Sequence, residues 1–345
     1  MNSYKTYFVM FCLSLTSFGV CAEQNPQIKK DMKTLNLTQE WDKTFPKSEK
    51  VNHSKVTFGN RYGITLAADV YIPKNTSGKL PAIIVCGPYG AVKEQCSGLY
   101  AQTMAERGFL TMAFDPSYCG ESGGEPRYVS SPDINTEDYS AAVDYLILRD
   151  DVDVERIGII GICGWGGLAI SAAVMDTRIK ATVSSTMGAF DTFTSEERYE
   201  ARRALNEQRT ADAKSGNRTM AGGVPAQLPD DTPQFMKDYH AYYKTSRGYH
   251  PRSLNSNDGW QTITNLPFLT FPLMAYADEI KSAVLVVHGD KAYSLGASQD
   301  AFKRLKGDNK ELMIIPDATH VDLYDRMDVI PFDKFEEFFK KYLGF

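Results

Sequence analysis

Histidine is scarce in this chain: His53, His240, His250, His288 and His320 are all there are among 345 residues. None stands in a His-Glu-x-x-His pattern, no two cysteines form Cys-x-x-Cys, and there is no Gly-rich phosphate loop ending in Gly-Lys-Ser/Thr. Metal and nucleotide cofactors are therefore not expected. Basic clusters are missing as well. Lys and Arg are dispersed, the formal net charge is −5, and no basic patch with interleaved aromatics occurs, which argues against nucleic acid as a partner. There is no internal repeat and no low-complexity tract. What the chain does have is apolar material, 43% of residues, enough for a large core.

Residues 1–22 read as a secretory leader. Lys5 supplies the positive start, Tyr7 to Val20 the apolar run, and Val20-Cys21-Ala22 the cleavage site before Glu23. The run is short for a membrane span, so no stable insertion is expected after cleavage. The expectation is an exported protein, in a bacterial periplasm. Export leaves Cys86, Cys96, Cys119 and Cys163 in an oxidising compartment, where a Cys96–Cys119 bridge is one option.

The most informative stretch is Gly161-Ile162-Cys163-Gly164-Trp165-Gly166-Gly167. It follows the apolar run Ile157–Ile160 and precedes the small-residue helical pattern Leu168–Val174. A nucleophile on a sharp strand-to-helix turn has this context, with glycines to permit the turn and close strand–helix packing. The plain alternative is a tight turn holding a structural cysteine. A nucleophile needs a base, and the base needs an orienting group. His320 lies in a short loop, Asp317–His320, after the apolar strand Glu311–Ile315, which is where chain order puts the base. Asp290, just after the strand Ala283–His288, is the nearest acid, with Asp317 and Asp322 as rivals. His288 itself reads as a strand-end core residue. For the oxyanion, the N–H of Gly164 would be one donor, and Tyr89 in Gly87-Pro88-Tyr89-Gly90 the other, through its backbone, its phenol, or both. A thiolate at a helix N-terminus beside an imidazolium is the expected resting state of Cys163; a neutral thiol activated only by substrate is the alternative.

Strands are expected at Ser54–Phe58, Ile64–Ile72, Pro81–Cys86, Phe109–Asp115, Ile157–Ile162, Ala181–Ser185, Ala283–His288 and Glu311–Ile315, with helical patterns between. One helix should run from Thr136 to Leu148 with Asn135 as its N-cap. The alternation predicts an α/β architecture with a mainly parallel sheet and right-handed crossovers. The rhythm breaks over 187–278, a segment dense in aromatics in its second half. The expected division is a leader at 1–22, a core of 23–186 (with an irregular arm at 23–50) and 279–345, and a helical cap at 187–278 inserted after the sixth strand.

From about Lys55 to the C-terminus the chain resembles an α/β-hydrolase. The segment Phe114 to Gly123 is similar to that fold's Asp-x-x-Gly-x-Gly-x-Ser-x-Gly loop. The cysteine nucleophile resembles dienelactone hydrolase, while the glycine three residues after it and the Gly-Pro-Tyr loop resemble the cocaine esterase and Xaa-Pro dipeptidyl-peptidase family. In those enzymes a tyrosine of such a loop helps form the oxyanion hole, which implies that role for Tyr89. The chain departs from them in carrying Cys for Ser and Ala292 where their acid usually stands. The resemblance implies a hydrolase acting by acyl transfer with Cys163, His320 and Asp290 on small esters or thioesters, without a cofactor. A dienelactone hydrolase-type lactonase is the near alternative, and a ligand-binding protein without turnover the distant one.

Overall fold

The computed structural model describes residues 32–188 and 193–345; the leader at 1–22 and the first part of the arm lie outside them. Ten strands form two sheets. Eight of them, in the order β1-β2-β4-β3-β5-β6-β9-β10, build the core sheet. These are β1 (Val51–Gly59), β2 (Thr65–Pro73), β3 (Leu80–Cys86), β4 (Leu110–Phe114), β5 (Val152–Ile162), β6 (Ile179–Ser185), β9 (Ala283–Gly289) and β10 (Lys310–Ile315). β1 pairs antiparallel with β2, and β2 antiparallel with β4; the other pairings are parallel. The central strands are apolar on both faces because helices cover both. On one face lie α2 (Pro132–Ile147), α3 (Gly164–Met175) and α6 (Leu295–Arg304), packing Tyr139, Trp165, Leu168 and Ala301 against Ile84, Ile159 and Val286. On the other lie α1 (Cys96–Ala105), the short α7 (Asp322–Asp325) and α8 (Phe332–Leu343), whose Tyr100, Leu323, Phe335 and Phe339 meet Ile83, Ile160 and Val183.

Between β6 and β9 the chain holds α4 (Ser195–Ser215), α5 (Gln234–Tyr243) and a small antiparallel pair, β7 (Met220–Ala221) with β8 (Trp260–Gln261). The helix α4 starts at a full capping box, Thr194 with Glu197, and ends at Gly216 in the left-handed region. It has no buried residue. Among the described residues no helix is long and apolar enough to cross a membrane.

Two expectations change here. The helix α2 begins at Pro132, whose fixed φ suits a first turn, with Ser131 as its N-cap and not Asn135. Asn135 is buried inside the helix; its Oδ1 accepts from the Ser131 N–H at 2.9 Å and its Nδ2 donates to Asp138 at 3.1 Å. Cys96 and Cys119 are separate buried thiols, not a disulfide. Their sulfurs donate instead to the carbonyls of Gly87 and Val129.

The loop after β4 anchors a buried ion cluster. Lys93 Nζ meets Glu94 at 2.7 Å, Asp115 at 2.8 Å and Glu121 at 2.7 Å, all out of solvent. Lys55 reaches Glu121 at 2.7 Å, and Arg252 of the insertion reaches Glu94 at 2.9 Å and Asp42 of the arm at 2.8 Å. Asp115 also accepts from the Glu121 N–H at 2.8 Å. Gly120 makes this possible: it sits at φ +55, and a Cβ there would fall 2.2 Å from the Asp115 carboxylate.

Candidate active site

The carboxyl ends of parallel strands are where α/β folds place their ligands. Here the ends of β3, β5, β9 and β10 bring Tyr89, Cys163, Ser294 and His320 together. Cys163 stands between β5 and α3 at φ +58, ψ −126, a sparsely populated conformation for a side-chain-bearing residue. Its N–H donates to the Ser185 carbonyl at 2.9 Å, and its carbonyl accepts from Gly166 N–H at 2.9 Å, which hold the turn in place. Gly161 lets α3 pack this closely: a Cβ there would lie 2.1 Å from the Trp165 carbonyl oxygen.

The sulfur borders a cavity of about 290 Å³, whose wall includes Tyr239, Tyr243, Tyr293, Tyr324, Trp260 and Met236. Among the described residues none that lines this cavity carries a formal charge. Burial pushes the Cys163 thiol up; the Tyr324 phenol, the N–H groups of Gly164 and Tyr89, and the Tyr239 phenol pull the other way by favouring the thiolate. The two residues expected to supply the oxyanion hole, Gly164 and Tyr89, line the same cavity as the sulfur. Tyr324 Oη is buried and makes no formed hydrogen bond. Its action on the sulfur is that of a donor that tightens once the sulfur or its adduct is charged.

For Tyr89 the structure separates the two options. Its phenol donates to Asn265 Oδ1 at 3.1 Å and its ring stacks on Trp260, with centroids 4.2 Å apart. The backbone N–H is therefore the group offered to the site. The insertion holds this loop from above. Asn255 Nδ2 donates to the Tyr89 carbonyl at 2.6 Å, while the Leu254 N–H and the Ser253 hydroxyl both donate to the Gly90 carbonyl, at 2.8 Å and 3.0 Å.

His320 is buried, ringed by Tyr239, Tyr293 and Tyr324, each with its centroid 5.5 Å away. The same three tyrosines line the Cys163 cavity. Among the described residues its Nε2 is buried without a hydrogen-bond partner. Its Nδ1 lies 2.6 Å from Ser294 Oγ. Burial, with His288 adding to it, holds the imidazole well below its ordinary value, so it is neutral at physiological pH.

The expected acid does not reach it. Asp290 is 34% exposed and its carboxylate faces Lys291 at 3.8 Å. Its rivals fare no better: Asp317 is 89% exposed, and Asp322 is taken up by the Thr319 N–H and hydroxyl, both at 2.8 Å. Instead Ser294 Oγ also meets His288 Nε2 at 3.0 Å, and His288 Nδ1 meets Ser298 Oγ at 2.7 Å. Sequence reasoning missed Ser294 and His288 as site residues. The available signal was the pair of serines one helical turn apart, six and ten residues after a buried histidine.

The expected thiolate–imidazolium pair is also replaced. With the thiol pushed up and the imidazole pushed down, the resting pair is neutral on both sides. Alkylation of Cys163 by iodoacetamide is therefore expected to be slow at pH 7 and to rise only above the ordinary thiol range of about 8.5. Alkylation that sets in at mildly acidic pH, and shifts in a His320→Asn variant, would restore the ion pair.

Known proteins share this fold. The family model for X-Pro dipeptidyl-peptidase (S15 family) matches residues 62–322. The chain is 56% identical over 321 residues to the uncharacterized protein PA2218 of Pseudomonas aeruginosa, covering 90% of this chain and 86% of the relative. The crystal structure of that protein superposes with a TM-score of 0.86 at 54% identity, covering 90% of this chain and 99% of the other. The α/β-hydrolase GrgF from a Penicillium species superposes with a TM-score of 0.67 at 20% identity, over 85% of this chain and 100% of the other. A shorter stretch, 40% of this chain and 42% of the relative, is 32% identical to the thiohydrolase aneE of Aspergillus aculeatus. The chain belongs to the X-Pro dipeptidyl-peptidase (S15) family and is a hydrolase of the α/β-hydrolase fold.

Proposed function

We propose that this enzyme cleaves small, uncharged carboxylic esters and thioesters through an acyl–Cys163 intermediate. The observation that carries the reading is one cavity lined by Cys163 in its strained turn, by Gly164 and by Tyr89, whose wall tyrosines Tyr239, Tyr293 and Tyr324 also pack on the His320 ring. His320 Nε2 takes the thiol proton as Sγ bonds to the carbonyl carbon. The carbonyl oxygen becomes an oxyanion that Gly164 and Tyr89 stabilise. Collapse breaks the bond to the leaving group, which takes the proton back from Nε2. Water, deprotonated by the same nitrogen, then releases the acid and regenerates the thiol.

The cavity wall argues for an uncharged acyl group. A dipeptide with a free amino-terminus would bury an ammonium, and among the described residues no carboxylate lines this cavity. The thiohydrolase relative supports the thioester side of the range. In this reading the insertion caps the site, through Gly222–Val224, Met236 and Trp260, and the leader at 1–22 directs the enzyme to an exported compartment.

The test compares p-nitrophenyl acetate, an N-acetylcysteamine thioester and Ala-Pro-p-nitroanilide. The first two should give a burst and a mass adduct on Cys163, with kcat/KM at least about 100-fold above the anilide, the cost of an unpaired buried charge. Preference for the anilide, or turnover without a Cys163 adduct, would overturn the proposal.

A further inference from the structure

A base that accepts a proton in a dry site usually leans on an anion. In the serine protease arrangement a buried carboxylate fixes the imidazole's tautomer and stabilises the imidazolium that forms. Among the described residues no carboxylate meets His320. What meets it is a line of three short contacts: His320 Nδ1 to Ser294 Oγ at 2.6 Å, Ser294 Oγ to His288 Nε2 at 3.0 Å, and His288 Nδ1 to Ser298 Oγ at 2.7 Å. All four side chains are buried.

We propose that Ser294 and His288 act as positioning residues that replace the carboxylate, forming a hydroxyl–imidazole relay behind His320. The inference rests on the reading of His320 as the base for Cys163. Two sets of hydrogen positions satisfy the three contacts, one the reverse of the other. In the one a base requires, His320 Nδ1–H donates to Ser294, the Ser294 hydroxyl donates to His288 Nε2, and His288 Nδ1–H donates to Ser298. This leaves His320 Nε2 bare, as an acceptor of the thiol proton must be, and among the described residues that atom has no partner. In this orientation the relay holds the productive tautomer.

The relay also spreads the charge. When Nε2 takes the thiol proton, the Nδ1 proton can pass to Ser294 Oγ as the Ser294 proton passes to His288 Nε2. The positive charge then rests on His288, while His320 is neutral again with its proton on Nε2, ready for the leaving group. The reverse shift restores the starting state, so no proton is lost or gained. Burial holds the His288 imidazole down to about 4, so it is neutral at rest with a nitrogen open to a proton, and it carries the charge only for the lifetime of the step.

The test uses the intact protein and p-nitrophenyl acetate. Ser294→Ala should lower kcat about 10–100-fold at unchanged KM, the worth of a hydrogen bond to a charged group. Ser294→Thr, which keeps the hydroxyl, should restore most of it. His288→Gln should lose a similar factor, and the double variant with Ser294→Ala should lose little more, because groups acting as a unit are not additive. A Ser294→Ala enzyme with wild-type kcat overturns the relay, as does a Ser294→Thr that fails to recover or a double variant whose losses multiply. If His288→Gln does not fold, the Ser294 pair decides alone. Inactive Cys163→Ala and His320→Asn alongside a fully active Ser294→Ala would overturn the relay and leave the acyl-transfer reading standing. Activity surviving in Cys163→Ala or His320→Asn would overturn that reading itself.

Discussion

Replacing Cys163 with alanine is expected to reduce ester hydrolysis by about four orders of magnitude or more, to the background set by the remaining site. Members of a catalytic unit cannot stand in for one another, and loss of the nucleophile alone removes nearly the whole advantage. The fold should hardly notice. The sulfur borders the cavity, so its removal enlarges a space already present. Alanine meets the same positive φ that cysteine already tolerates. Thermal denaturation should therefore shift by only about 2–4 °C. Measured together, p-nitrophenyl acetate turnover and melting temperature separate two roles. Lost activity with an intact melting curve identifies a nucleophile, and retained activity with a lowered one identifies a structural cysteine.

The second large effect falls on stability. Lys93→Met removes the cation that Glu94, Asp115 and Glu121 share, all buried. Taking one partner from a buried ion pair leaves uncompensated charge in a low-dielectric place, which costs about 3–5 kcal/mol. Burial already pushes the Asp115 carboxyl up even with Lys93 present, so this anion has little to fall back on. The expected result is a melting temperature lower by about 10 °C. Lys303→Met, which breaks an exposed pair with Asp300 at 2.8 Å, is the control and should be nearly silent. Equal effects from the two would mean that Lys93 does not hold the cluster together.

Much of this was legible in the sequence, for identifiable reasons. Strands buried on both faces write themselves as apolar runs, so all eight core strands were located to within a few residues. The turn at Cys163 is local, requiring glycines within three residues, and so is visible as a motif. Chain order then pointed to His320, and the same logic to Tyr89 and Gly164, of which Tyr89 and Gly164 line the Cys163 cavity and His320 packs on its tyrosines. The third member of the site was not legible, because its identity depends on which side chain the β9 loop turns inward. Asp290 has the right chemistry but turns outward to Lys291, while Ser294 has unremarkable chemistry and turns inward. The ion cluster escaped notice for a related reason. Lys55 and Glu121 stand 66 residues apart, and nothing local in either segment announces the other. Asn135 misled as a cap because a proline three residues earlier was the better starting point for the helix.

The bonds from Ser253, Leu254 and Asn255 to Tyr89 and Gly90 have a mechanical meaning. They tie the cavity wall at Asn255 and the Tyr89 backbone into a single lever. Any displacement of this stretch breaks those bonds or carries the Tyr89 backbone with it. In the proposed acyl-transfer reading, the shape of the cavity and the alignment of the Tyr89 N–H are therefore set by the same few bonds, and neither changes alone.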